Sequence, residues 1–305
     1  WQRQPYWKPE STESLGMLAR YYRHPLLGYT LPQQPGCWES ELDTGRQPWL
    51  ADHVVGDGVV FPGAGYAELA LAAVEQQLLA DESDSRVIDI EALEIRAPLL
   101  LEASASKVVR TQLQEADGSL LISARPHAHE GEWQEHVKAR WFAGSAGRLL
   151  SRRADALPQR AADFTREQHL AAAAHIGLDY GPAFQAVSEG WVDADQVIGR
   201  CEPSERIQET HTGLLLHPGV LDTAFQLFIP LLAQEQRNDG YGYVPVQIGR
   251  LQFSRAHIGV LPTQIRVRLL RRSPHSLLAE VELFDAQGEA IAVLNDVRFK
   301  AVPLR

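Results

Sequence analysis

The most restrictive feature of this sequence is an internal repeat of nearly constant spacing. Pro62-Gly63 and Pro218-Gly219, each followed by a mostly apolar stretch, lie 156 positions apart. Three further pairs in strand-like runs are each 158 positions apart: Leu93 and Leu251, Val109 and Val267, and Trp141 and Phe299. Four such pairs in the same order predict a duplication, in which two copies of one structural unit follow each other.

Each copy begins with an apolar helix and continues with strands. The first helix is predicted over 63–80 and the second over 220–234, where it is interrupted at Pro230. Strand-like runs follow each helix: 88–101, 107–113, 120–126 and 133–142 in the first copy, and 244–258, 264–270, 277–284 and 290–302 in the second. A long apolar helix must bury most of its faces, and a surrounding antiparallel sheet allows this. The sequence therefore predicts an α+β fold with two tandem hotdog units, a double hotdog.

Domain boundaries are placed where these periodic patterns stop. The N-terminal hotdog is predicted over 21–145 and the C-terminal hotdog over 165–305, with a small, polar and basic linker over 146–164 between them. Residues 1–20 open with the aperiodic WQRQPYW and are predicted to form an extended segment. Because the chain starts with Trp1 and shows no signal-peptide pattern, we expect it to be cut from a longer polypeptide.

Composition narrows the class of protein and its partners. With 45% hydrophobic and 22% charged residues the chain is typical of a globular protein, and its apolar runs are too short for a membrane span. A net charge of −10 without a basic patch argues against nucleic acid and anionic membranes as partners. The two distant cysteines, Cys37 and Cys201, predict a reducing compartment, by default the cytoplasm.

Two polar positions near the helix starts are candidates for chemistry. His53 is predicted to lie in a loop, before a Gly-rich stretch that ends at Pro62 and Gly63, where a helix N-terminus would present unpaired N–H groups to a carbonyl. A lone histidine is more often structural, so both roles stay open. In the second copy, Asp222 and Gln226 lie at i and i+4 on one face of an apolar helix. A carboxyl buried there is suited to proton donation, whereas a cap or a solvated turn is equally consistent with the pattern.

These residues resemble the motifs of dehydratase domains in modular type I polyketide synthases. His53 to Pro62 is similar to the HxxxGxxxxP motif of that family, and Asp222 to Gln226 is similar to its DxxxQ/H motif. Tyr180-Gly181-Pro182 is similar to its YGP motif, and His24 to Gly28 is similar to its HPLLG motif. The opening WQRQPYW resembles the linker that follows the acyltransferase in such synthases. All five signals occur in the family's order.

The resemblance implies an activity and a set of partners. The chain would be a hydro-lyase that converts a β-hydroxyacyl thioester to the α,β-unsaturated thioester during polyketide elongation. Its substrate would arrive on the phosphopantetheine arm of an acyl carrier protein, so no other cofactor is expected. The expected partners are that carrier protein, the neighbouring synthase domains and a second copy of the chain in a homodimer.

The resemblance also implies roles for single residues. His53 would take the α-proton as a neutral imidazole, and Asp222 would supply the proton with which the hydroxyl leaves as water. Gln226 would orient Asp222, the Gly63 N–H would polarise the thioester carbonyl, and Tyr180 would either bind near the hydroxyl or only pack. The other supporting residues are Pro62, Gly181 and Pro182. Since His53 and Asp222 belong to different copies, we expect one site shared between the copies, with the two side chains within about 8 Å.

One position departs from the motif. Asp57 stands where the HxxxGxxxxP motif has glycine, between Gly56 and Gly58. A neighbouring glycine can supply the turn conformation, so we predict that Asp57 is a solvated turn residue rather than the catalytic acid.

The same motifs are compatible with other functions. A dehydratase-like domain that also closes a pyran or furan ring, or that shifts the double bond, would share the motifs. A non-catalytic acyl-binding or dimer-forming scaffold is the alternative from another class, although it would not require all of the site residues. His127, His129, Glu130 and His136 lack a zinc-ligand spacing, so no metal site is predicted.

Overall fold

The computed structural model of the chain describes residues 21–32, 34–83, 85–127, 131–142, 152–233 and 241–304. The segment predicted over 1–20, and residues 146–151 of the predicted linker, lie outside the described residues. Within those ranges, no helix combines the length and apolarity needed to cross a membrane.

Five α-helices are described, and they comprise α1 Gly63–Ala80, α2 Arg166–His175, α3 Glu205–Thr210, α4 Pro218–Gln226 and α5 Phe228–Ala233. The described strands of the first half are β1 Tyr22–His24, β2 Gly28–Thr30, β3 Cys37–Leu42, β4 His53–Val55, β5 Gly58–Val59, β6 Val87–Ile95, β7 Lys107–Leu113, β8 Ser119–Pro126 and β9 Gln134–Trp141. Those of the second half are β10 Phe164–Thr165, β11 Leu178–Tyr180, β12 Val187–Asp193, β13 Gln196–Cys201, β14 Tyr241–Ser254, β15 Gln264–Arg272, β16 Ser276–Phe284 and β17 Ala290–Pro303.

The strand order of the main sheet shows the duplication directly. Outward from the centre of this 14-stranded sheet, the first half runs β6-β9-β8-β7-β3 and the second half runs β14-β17-β16-β15-β13. The halves join through antiparallel pairing of β6 with β14, where Ile90 lies opposite Leu251. The two copies therefore form one continuous antiparallel sheet with the same strand order on each side of its centre.

The two long apolar segments lie inside this sheet, as the sequence predicts. Helix α1 is buried along most of its length, and Leu69, Leu71 and Val74 have no exposed surface. Helix α1 packs on β6, β7 and α4. Because one hydrophobic cluster contains residues of both halves, burial of apolar surface holds the copies together as well as each copy separately.

Three predicted elements end earlier than expected. The strand predicted over 244–258 ends at Ser254. The strand predicted over 88–101 leaves the main sheet after Ile95, because Pro98 has no N–H to donate to a central ladder. The second helix is interrupted at Leu227, not at Pro230. A proline ring clashes with the carbonyl four residues earlier, here that of Gln226, so α4 ends at that residue and Pro230 lies in the first turn of α5.

Candidate active site

His53 begins the short strand β4 and is buried, whereas the sequence predicts a loop at this position. The strand forms because β4 pairs with both β5 and β11. Nδ1 of His53 lies 2.8 Å from the Val60 carbonyl oxygen. A carbonyl can only accept, so Nδ1 carries a proton, and in the neutral imidazole Nε2 is the basic nitrogen. This Nε2 lies 3.5 Å from Oδ1 of Asp222.

The YGP segment lies directly against the histidine strand. Tyr180 pairs with His53 across β11 and β4. Asp52, the residue before His53, accepts from the Gly181 N–H through its carbonyl and from the Ala183 N–H through Oδ2, both at 2.8 Å. A Cβ at Gly181 would lie 2.4 Å from Cγ of Asp52, which explains the glycine. Asp52 thus holds the YGP turn against the strand that carries His53.

The same segment lies directly against the helix that carries the acid. Pro182 starts a short 3₁₀ helix that ends at Phe184, and α4 packs on it. The hydroxyl of Thr223 lies 3.0 Å from the Phe184 carbonyl oxygen. A Cβ at Gly219 would lie only 1.8 Å from the Ala183 carbonyl oxygen. The YGP segment therefore fixes β4 of the first copy relative to α4 of the second.

Asp222 and Gln226 face each other on α4, as their spacing predicts. The Nε2 amide group of Gln226 donates to Oδ2 of Asp222 at 3.0 Å and lies 3.2 Å from the Phe184 carbonyl oxygen. On its other side, Oε1 of Gln226 lies 3.1 Å from Nε2 of His169 on α2. All three side chains are buried. The contacts form a continuous polar chain from α2 to the histidine of the first copy.

A cavity of about 1060 Å³ opens beside this polar chain. His53, Tyr180, Asp222 and Gln226 line one part of its wall, and Gly63 at the start of α1 lines another. The remaining wall is largely apolar and includes Phe225, Phe228, Ile229, Leu232, Val244 and Pro245. Few polar groups thus converge at one place in a large apolar cavity, which is the usual design of a small-molecule site.

The charges in the site interact strongly because they are buried. Burial alone lowers the pKa of His53, but attraction to Asp222 and hydrogen bonds to Asp222 and Val60 outweigh it, so the pKa is raised. Burial, followed by repulsion from Asp222, raises the pKa of Tyr180 well above its ordinary value, so the phenol keeps its proton. The Tyr180 and His53 rings are 5.7 Å apart between centroids.

The start of α1 completes the predicted set. Pro62 is the N-cap of α1 and has an extended backbone, and the N–H group of Gly63, at the first position of the helix, has no preceding helical carbonyl to bond. A Cβ at Gly63 would lie 2.7 Å from Cγ of Pro245 on β14. In the preceding turn, Gly56 has the positive φ of 61°, and Asp57 is exposed. A neighbouring glycine thus supplies the turn conformation, as predicted.

The other histidines serve different purposes. Nδ1 of His136 lies 3.0 Å from the Ala97 carbonyl oxygen, and His127 lies 3.5 Å from Glu41 near the surface. His129 and Glu130 lie outside the described residues. In the part of the chain that the structure describes, no three potential metal ligands cluster.

His24, the histidine of the HPLLG segment, links its own turn to helix α1. Nδ1 of His24 accepts from the N–H groups of Leu26 and Leu27, so its Nε2 donates to Glu68 of α1 at 2.9 Å. Three residues with important contacts lie outside the motifs: Glu68, Asp52 and His169. Their contacts are therefore not predictable from the sequence. The available signal is an acid or a histidine within an otherwise apolar segment, which does not identify its partner.

Comparison with known proteins identifies the family to which this fold belongs. The family model described as the polyketide synthase dehydratase N-terminal domain matches residues 152–304, half of the chain, and the model described as the polyketide synthase dehydratase domain matches residues 24–125. The mycoketide-CoA synthase of Mycobacterium tuberculosis is 29% identical over 99% of this chain, which spans 7% of that protein. The erythronolide synthase of Saccharopolyspora erythraea is 30% identical over 74% of this chain, which spans 6% of it.

Solved structures agree with these matches. The dehydratase domain of a mycocerosic acid synthase-like polyketide synthase has a TM-score of 0.74 at 23% identity, covering 93% of this chain and 99% of that domain. The dehydratase domain from the CurJ module of the curacin synthase has a TM-score of 0.76 at 20% identity, covering 92% and 97%. The predicted α+β double hotdog fold is confirmed. Together with the family models, these similarities show that the chain belongs to the polyketide synthase dehydratase domain family.

Proposed function

We propose that this chain removes water from a β-hydroxyacyl thioester carried on an acyl carrier protein and produces the α,β-unsaturated thioester. The observation that carries this proposal is the 3.5 Å separation of Nε2 of His53 from Oδ1 of Asp222 at the wall of an apolar cavity. An acid and a base at this distance can act on adjacent carbons of one substrate.

The first step is removal of the α-proton. The α C–H bond breaks, and the proton moves to Nε2 of His53, whose orientation is fixed by the hydrogen bond from Nδ1–H to Val60. Negative charge then develops on the thioester oxygen. The N–H group of Gly63, at the first turn of α1 and beside the cavity, is the donor suited to that charge.

The second step is loss of the hydroxyl group. The C–O bond at the β-carbon breaks, and Asp222 transfers its proton to the departing oxygen, so the group leaves as water. His53 is then cationic and Asp222 is anionic. A proton transfer from Nε2 to Oδ1 restores the starting state, so the α-proton replaces the proton that left with water, and the pair neither gains nor loses a proton over a turnover. Gln226, which donates to Oδ2, orients the carboxyl throughout.

The remaining roles follow from the contacts of the site. Tyr180 is a neutral phenol beside His53 and is placed to bind the β-hydroxyl. Pro62, Gly181 and Pro182 shape the two turns that carry Gly63 and Tyr180. The phosphopantetheine arm belongs to the carrier protein that delivers the substrate, so we propose no resident cofactor. The carrier protein, adjacent synthase domains and a second copy of the chain are the proposed partners.

The test is mass spectrometry of the chain incubated with 3-hydroxyacyl carrier proteins of both hydroxyl configurations. We expect a product 18 Da lighter than one of the two substrates, the mass of one water. Absence of that product with both configurations, over several chain lengths, would refute dehydration and favour the scaffold alternative. A hydroxyl-bearing longer substrate adds a second arm, since a cyclic product or a shifted alkene, each with the mass of the enoyl product, would reveal ring closure or isomerisation. Chromatography against synthetic standards separates these isomers.

A further inference from the structure

The orientation of the Gln226 amide follows from its neighbours. The group facing the Phe184 carbonyl oxygen lies 3.2 Å from it, and this carbonyl can only accept a hydrogen bond. The amide NH₂ must therefore face Phe184 and, with its other hydrogen, Oδ2 of Asp222. The amide oxygen then faces α2. Exchanging the two amide atoms would place two oxygens against each other at Phe184.

This orientation determines the state of His169. Its Nε2 lies 3.1 Å from the Gln226 amide oxygen, so Nε2 must carry the proton and donate it. Burial lowers the pKa of His169, and the hydrogen bond to Gln226 opposes this only in part, so the ring is neutral at neutral pH. His169 is therefore a neutral imidazole in a single tautomer, held against Gln226.

The surroundings of Nδ1, the other ring nitrogen of His169, argue against a role in packing alone. Nδ1 of His169 is buried and has no hydrogen-bond partner among the described residues. A buried polar atom without a partner is costly, and phenylalanine would fill a similar volume without this cost. The hydrogen bond from Nε2 to Gln226 is the one described contact that uses the polar character of the ring.

We propose that His169 is a positioning residue for the acid Asp222 and that it acts through Gln226. By holding the amide oxygen, His169 keeps the NH₂ group on Oδ2 of Asp222. Because Oδ2 is then occupied as an acceptor, the proton of the carboxyl lies on Oδ1, the oxygen that faces His53 and the cavity. This inference rests on the proposed dehydration, and it identifies which carboxyl oxygen delivers the proton.

Steady-state kinetics of five variants, Gln226→Leu alone among them, test the proposal. His169→Phe removes the donor and keeps the volume, so we expect kcat to fall about tenfold, as for the loss of one buried hydrogen bond, with KM within about twofold. His169→Gln places an amide donor near the position of Nε2 and should restore kcat to within about threefold of the parent. In a Gln226→Leu background, adding His169→Phe should cause no further loss. His136→Phe is the matched control, because it removes a buried histidine that does not contact Gln226, and it should leave kcat unchanged.

Each outcome decides the question. Unchanged kcat in His169→Phe, a loss no deeper than that in His136→Phe, or an additive loss in the Gln226→Leu background would overturn the proposal. If the parent chain releases no water at all, the proposed function fails, and ¹⁵N NMR of the labelled His169 ring still tests the contact. We expect the Nε2–H tautomer at neutral pH in the parent and a loss of that preference in Gln226→Leu. An Nδ1–H tautomer in the parent would refute the inference.

Discussion

Helices α1 and α4 both carry buried acids, but the surroundings of these acids differ. Glu68 of α1 accepts from the N–H groups of Leu215 and Leu216 at 2.6 and 2.9 Å and from His24 at 2.9 Å. Glu75, further along α1, forms a two-point ion pair with Arg255 at 2.6 and 2.9 Å. Both acids have donors on both oxygens, and those donors lie outside α1. Both acids therefore link α1 to segments that are distant in sequence.

Among the described residues, Asp222 of α4 has fewer hydrogen-bond donors than Glu68 and Glu75, and one of its oxygens faces the cavity. Gln226 donates to Oδ2, and the other oxygen faces His53 at 3.5 Å and the cavity. A buried carboxyl with few donors is costly unless it serves a purpose. The number and position of hydrogen-bond donors, more than burial itself, therefore distinguish a structural acid from one available for proton transfer.

The repeat offset shows how the copies diverged. The position 156 residues before Asp222 is Tyr66, which lines the same cavity, and the position 156 residues after His53 is Glu209, which is exposed on α3. Each copy therefore carries one half of the proposed catalytic pair. The proposed active site lies where the two copies meet.

The largest effect should come from replacing the acid that faces the cavity. Asp222→Asn keeps the shape of the side chain and removes the transferable proton, so we expect kcat to fall by about 10²–10⁴, the usual contribution of a general acid. Thermal unfolding should change little, because the donors around the carboxyl are few. The measurement is water loss from the 3-hydroxyacyl carrier protein, alongside a melting curve.

Glu68→Gln, the matched variant in α1, should lower the stability of the fold and leave kcat nearly unchanged. In Glu68→Gln the new amide NH₂ meets backbone N–H donors or the His24 N–H, so a buried hydrogen bond to a charged group is lost, at about 1.5–3 kcal/mol each. We expect a lower melting temperature and a kcat within a few-fold of the parent well below that temperature. Equal activity losses in the two variants would contradict the distinction between the two acids.

The two Pro-Gly helix starts should also differ in their tolerance of a methyl group. A Cβ at Gly219 would lie 1.8 Å from a backbone carbonyl oxygen, that of Ala183, whereas a Cβ at Gly63 would meet the Pro245 ring at 2.7 Å and the tip of Ile95 at 3.1 Å. Side-chain atoms can move more easily than backbone. We therefore expect Gly219→Ala to destabilise the fold by about 3 kcal/mol, as for severe overpacking, and Gly63→Ala by about 1 kcal/mol. Chemical denaturation measures both, and an equal cost would contradict the difference.

The long elements and the proximity of His53 to Asp222 could be predicted from the sequence. The constant offset related the long strands of one copy to those of the other, and the i, i+4 spacing predicted that Asp222 and Gln226 share a helical face. The break at Leu227 and the contacts of Asp52 and His169 depend on atoms far apart in sequence. Short strands such as β4 form because of their partners, so their own residues carry too little pattern to reveal them.

A smaller effect concerns the titration of His53. Burial lowers the pKa of His53, but the attraction to Asp222 and the hydrogen bonds together outweigh it, so the imidazolium loses its proton as pH rises through a value above that of an ordinary histidine. Any stability gained from the pair is therefore present at lower pH and declines over that same rise. In Asp222→Asn the dominant raising interaction is gone, and we expect the NMR titration midpoint of His53 to move to lower pH. A midpoint that stays or rises would show that Asp222 is not the group that raises the pKa of His53.

The smallest effect is expected at Asp57, in the turn before α1. This residue is exposed, and the positive φ of the turn belongs to Gly56, at 61°. Asp57→Gly restores the family motif without relieving strain, so kcat should stay within a few-fold of the parent and stability should fall by no more than about 1 kcal/mol, the usual cost of an added glycine. Gly56→Ala is the matched control: a Cβ there has room, with its nearest neighbour at 3.6 Å, but the positive φ should cost about 1 kcal/mol. If Asp57→Gly instead abolished turnover as deeply as Asp222→Asn, the carboxyl of the first copy would be the acid, and the assignment of one catalytic group to each copy would be wrong.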